Sequence, residues 1–98
     1  MATQQITPET FAAALRADGF GDGETRVHPA GRLVPDHMHP YDVRALVLAG
    51  EITLTFEGEA TAYRPGEVFT MQGGHSHAEA IGPAGVELLV GRRPVPAG

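Results

Sequence analysis

From residue 24 onward, Gly, Pro or Asp interrupts the chain so often that only short β-prone runs fit between, at 25–28, 32–37, 43–49, 52–57, 61–63, 67–71, 75–81 and 86–92. Runs of this length, rich in β-branched and aromatic residues and bounded by turn formers, are strands. About eight of them in succession predict an all-β sandwich or barrel with antiparallel neighbours. Alternation is clean at Ile52, Leu54 and Phe56 against Thr53, Thr55 and Glu57, which gives that strand one dry and one wet face. The run 43–49 is apolar on both faces apart from Arg44. If Val43, Ala45 and Val47 look inward, Leu46 and Leu48 look out, and a row of outward leucines predicts a subunit contact and hence a homodimer.

Before the strands, Thr7-Pro8-Glu9 followed by Phe11 and Leu15 predicts a short helix over 7–18 that Gly19 ends. Thr caps, Pro tolerates the first helical position, and Glu suits the positive end. At 98 residues there is room for one domain, 1–98, with the barrel over 24–92. The turn formers at Gly50-Glu51, Glu57-Gly58 and Pro65-Gly66 are read as turns between strands.

Composition removes several function classes. The chain has no Cys, so disulfides and thiol nucleophiles are out. Gly73-Gly74 lacks the lysine of a phosphate loop, and Ser76 lies between two histidines whose side chains face away from it on a strand. With a formal charge of −5 and no basic cluster beyond Arg92-Arg93, nucleic acid is not an expected partner. A neutral or small anionic ligand is. No stretch approaches the roughly 20 apolar residues that span a bilayer, and the first residues lack the pattern of a secretory signal, so no membrane partner and a cytoplasmic location are expected.

Chemistry concentrates in histidine. His37 and His39 stand two apart, and on a strand that spacing sends both imidazoles to one face, about 7 Å apart along the chain. In the second half, His75, His77 and Glu79 repeat the same spacing. Two such segments facing each other inside a barrel offer enough imidazole nitrogen for a metal ion. Read alone, His-x-His is equally the mark of surface or turn histidines.

The flanking residues add a resemblance. Gly31, His37, His39 and Gly50 are similar to the first motif of the cupin superfamily, G-x5-H-x-H-x3-4-E-x6-G, and Gly66, Gly74 and His77 to the second, G-x5-P-x-G-x2-H-x3-N. The agreement runs over about 31–81. The resemblance implies a jelly-roll β-barrel of about eight strands holding one divalent metal ion (Fe, Mn, Ni, Cu or Zn) through His37, His39 and His77. It also implies dioxygenase or isomerase chemistry as the commonest activities, with a non-catalytic, sensory ligand-binding module as the alternative. Departures matter too: the glutamate of the first motif falls on Val43 or Arg44, Gln72 replaces Pro and Ile81 replaces Asn. Absence of the glutamate resembles the three-histidine thiol dioxygenases and leaves the full 2+ charge on the ion.

Around that set, several residues carry open expectations. Asp42 either reaches inward as a ligand or is an ordinary turn aspartate; His75 is a spare ligand or exposed. Glu79 could ligate, act as base or orient a histidine. Tyr41, a catalytic candidate with Glu79, could line the pocket and donate a hydrogen bond, as could Tyr63, or each simply packs. Arg44 turned inward would suit a substrate carboxylate, and turned outward would sit at the subunit contact. Met38 and Met71 are expected to fill apolar gaps.

Overall fold

The structure, a computed structural model, describes residues 6–95. The order is α1 (Pro8–Ala17), β1 (Glu24–His28), β2 (Leu33–His37), β3 (Tyr41–Phe56), β4 (Glu59–Tyr63), β5 (Val68–Met71) and β6 (His77–Pro94). All pairings are antiparallel. β3 and β6 pair along almost their whole length, and each contributes half of itself to two sheets. One sheet runs β1, the second half of β6, the first half of β3 and β5; the other runs β2, the first half of β6, the second half of β3 and β4. The result is an antiparallel jelly roll.

Each expected run falls on a strand, those at 32–37, 52–57, 67–71 and 75–81 overrunning its end by one or two residues, but two pairs of runs are continuous. Gly50, expected in a turn, instead lies inside β3, where the register with β6 shifts on either side of it. Its φ of 78° is left-handed, and a Cβ there would meet the carbonyl oxygen of Gly85 at 1.9 Å. Gly85 has φ 79°. The two long strands therefore bend at adjacent glycines, and the bend carries both from one sheet to the other. Glu57-Gly58 is a true turn: both residues have positive φ and Phe56 pairs with Glu59, a two-residue hairpin.

Between the sheets lie Val43, Ala45, Val47, Ile52, Leu54, Phe69, Ile81, Val86, Leu88 and Val90, all buried. Outside, α1 is capped as its sequence predicts, with the Thr7 hydroxyl accepting from the Thr10 amide. Its buried Phe11 and Leu15 pack with Phe20 on Leu46, each large apolar side chain contributing about 1.5–3 kcal/mol. Leu46 thus faces outward by parity, yet the chain's own helix covers it, which removes the ground on which a second subunit was expected there. Arg44 also faces outward, against Asp18 and over the Phe20 ring. Met38 is 61% exposed and fills no gap, because it lies in the open connection after β2. No helix among the described residues is long and apolar enough to cross a membrane.

Candidate metal centre

His37 ends β2 and His77 begins β6, and the two are direct cross-strand partners after a bulge between Val34 and His37. His39 follows in the connection to β3. One ring nitrogen from each of the three lies within 4.8 Å of the others. Ring centroids are 4.4 Å apart for His37 and His77, and 5.0 Å for His39 and His77. The histidines expected together are together, and they are placed so that they could hold a metal ion.

The orientation of each ring is fixed by the backbone. Nδ1 of His37 lies 2.9 Å from the Pro35 carbonyl oxygen, Nδ1 of His39 3.1 Å from that of Tyr41, and Nδ1 of His77 3.4 Å from that of His75. A carbonyl only accepts, so each Nδ1 carries the proton and each Nε2 keeps its lone pair. This is the arrangement that sets a histidine's tautomer for ligation. His77 is 2% exposed, and its Nε2 is buried with no hydrogen-bond partner. An orphaned buried nitrogen of that kind is costly unless something occupies its lone pair, as a bound metal ion would. Burial pushes the His77 imidazole below its ordinary range and the neighbouring His37 adds to the push, which keeps the ring neutral.

Glu79 shares the inward face of β6 with His77. Its Oε2 lies 3.4 Å from Nε2 of His77 and 3.7 Å from Nε2 of His37, so it faces the lone pairs and not the pinned Nδ1 atoms. Tyr41 stacks on His39 at 4.4 Å with the rings nearly parallel. The other expectations resolve away from the centre. His75 is exposed and stacks on Phe56. Asp42 accepts from the Gly73 amide and from Arg93, both at 2.9 Å, and these bonds hold its carboxyl below the usual range. It straps the 72–74 loop, which leads into His77, against the His39 segment, where the Gly74 amide also donates to the His39 carbonyl. Tyr63 packs on Phe69 and also lines a cavity that reaches His77, as one of its two readings had it.

Two cavities flank the histidines. One of about 360 Å³ reaches His77 from the side of Thr61, Tyr63 and Gln72. The other, about 200 Å³, is lined by His37, His39, Tyr41 and Glu79, and also by Arg26, Arg32 and Arg92. Sequence reasoning missed these arginines. They stand up to 66 positions apart and nothing local links them; strand parity, once the register is known, turns Arg26 and Arg92 inward, and Arg32 joins them from just before β2.

A family model described as "Cupin domain" matches residues 23–90. The chain is a cupin. No curated protein matches it. Among solved structures, this cupin resembles a Rhizobium leguminosarum protein described as of unknown function, at 18% identity and a TM-score of 0.68 over 97% of this chain and all of that one. It also resembles the Schizosaccharomyces pombe Cnp3 cupin domain, at 19% identity and 0.67, spanning 74% of this chain and 55% of that one. These two show the fold alone. A third, described as the DMSP lyase DddQ from Ruegeria pomeroyi, is 29% identical at 0.64 over 76% of this cupin, which spans 38% of that chain.

Proposed function

We propose that this cupin is a small mononuclear metalloenzyme that binds one divalent ion through Nε2 of His37, His39 and His77 and acts on a small molecule by proton transfer, as isomerases and lyases do. The observation that carries the reading is the set of three Nδ1–carbonyl bonds, which leave three lone pairs converging, one of them on a buried, otherwise orphaned atom. When bound, a divalent ion supplies a Lewis acid that polarises a substrate oxygen.

The remaining steps belong to the protein. Glu79, the carboxylate that faces Nε2 of His37 and of His77, takes a proton from the substrate carbon next to the polarised group and returns it elsewhere or lets a leaving group depart. Tyr41 holds the His39 ring in place by stacking and lines the same cavity. The apolar walls, Val43, Ile52 and Leu88, exclude water from the charged end. The likeness to a structure described as a lyase adds that reaction class to the isomerase one. Dioxygenase chemistry is the second reading, favoured by the neutral three-histidine donor set.

Elemental analysis of protein purified without a histidine tag tests the metal: about one equivalent of a first-row ion is expected, and none in H37A. Solvent-deuterium incorporation into small carbonyl compounds under anaerobic conditions, lost in E79Q, is expected for the proton-transfer enzyme. Oxygen uptake after Fe(II) loading, with E79Q still active, would replace it by the dioxygenase. Ligand binding that persists in metal-free protein, with neither activity, would identify a sensory module.

A further inference from the structure

The cavity beside the histidines has a charge opposite to that of the protein. The chain carries −5 overall, yet three guanidiniums, Arg26, Arg32 and Arg92, line this one space. Against them stand two acids among the described residues: Glu79 in the lining, and Glu24, which pairs with Arg26 and Arg92. Among the described residues, the Arg32 guanidinium is engaged only by Nδ1 of His28, at 3.2 Å. Of the four arginines elsewhere, Arg44, Arg64 and Arg93 each meet an acid of their own, Asp18, Glu51 and Asp42. Five N–H donors per guanidinium leave most of the cavity's donor capacity unspent.

The arginines are also aimed. Arg92 sits opposite Val43 in the register, on the inward row of β6, with its guanidinium 5.5 Å from the Tyr41 ring. Tyr41 in turn lies on His39, so guanidinium, phenol and imidazole form one stack running from the rim to the three histidines. Glu24 bridges two of the guanidiniums, Arg26 and Arg92, and so holds them side by side. The Arg32 contact needs His28 Nδ1 as an acceptor, and burial followed by the Arg32 charge keeps that ring neutral.

We propose that Arg26, Arg32 and Arg92 make this cavity a receptor for a small carboxylate, gripped by the guanidiniums at the rim with its other polar end directed at His37, His39 and Glu79. The planar fork of arginine matches a carboxylate in bidentate geometry, which lysine, absent here, would not. About 200 Å³ lies below the size of pockets that take drug-sized ligands, so the occupant is metabolite-sized. This inference rests on the proposed metal-centre reading only for the direction in which the ligand points; the arginine grip stands without it.

Calorimetric titration with propionate and succinate, and with their uncharged amides, tests it in both metal-loaded and chelator-treated protein. At least one carboxylate should bind more than about tenfold tighter than its amide, and R92Q and R32Q should each remove that preference. R64Q, which loses the same charge outside the cavity, should keep it. In H37A the carboxylate preference should survive, so loss of metal and loss of the anion site are read separately. Failure of both carboxylates to bind at millimolar concentration, equal binding of acid and amide, or an R64Q loss equal to that of R92Q would overturn the proposal.

Discussion

β3 and β6 are the same object built twice: each is long, each crosses from one sheet to the other, and they are paired side by side. Their inward rows differ. β3 presents Tyr41, Val43, Ala45, Val47, Ile52 and Leu54, which are apolar apart from the Tyr41 hydroxyl. β6 presents His77 and Glu79, then Ile81, Val86, Leu88 and Val90, then Arg92, polar at both ends and apolar between. Because β6 folds back on itself at the glycine bend, Glu79 and Arg92 line one cavity. One strand keeps the sheets together and the other carries most of the groups assigned to the proposed chemistry, so substitutions in the two should separate stability from function.

The largest effect is expected at the bend that both strands share. Gly50→Ala drives a Cβ into the Gly85 carbonyl at a left-handed φ, and should cost on the order of 4 kcal/mol, most of the stability of a domain this size. Chemical denaturation should show the cooperative transition nearly lost. Next, Ile52→Ala in the dry row of β3 should cost about 2–5 kcal/mol while leaving metal content unchanged. His77→Ala in β6 should do the reverse in emphasis, weakening metal affinity by more than about 100-fold as read by competition with a chelator. A stable, metal-loaded H77A would end the division of labour between the strands.

Acid should sharpen the contrast further. His77 and His28 have folded pKa values below the ordinary histidine range, so the unfolded chain binds more protons as pH falls through about 6.5. Stability of the metal-free protein should therefore be full above that pH and decline below it, and thermal melts at pH 7.5 and 5.5 should differ in that direction. H77A should flatten the decline. The smallest effect is expected at Asp42→Asn, which weakens the strap to Gly73 and Arg93. Faster amide exchange at Gly73 with metal stoichiometry kept would place Asp42 as a positioning residue.

The sequence was most informative where the determinants are local. The Thr7 cap, the period-2 rows, the hairpin at Glu57-Gly58 and the two histidine pairs all show in a few neighbouring residues. Gly50-Glu51 did not, because a glycine with positive φ looks the same whether it reverses the chain or bends a continuous strand. Only the approach of Gly85 decides between them. The cover on Leu46 and the fastening of Asp42 by Gly73 and Arg93 depend on residues 26 or more positions away. The arginine trio was hidden for a related reason: adjacent Arg92 and Arg93 read as a pair, whereas the strand sends them to opposite faces.

The acceptors that pin the three imidazoles are peptide oxygens, those of Pro35, Tyr41 and His75. No exchange of a side chain deletes a peptide oxygen. Ring orientation is thereby insulated from drift at those positions as long as the main chain keeps its course, and the walls of the chamber are free to be rewritten for new occupants around an unmoved set of donors.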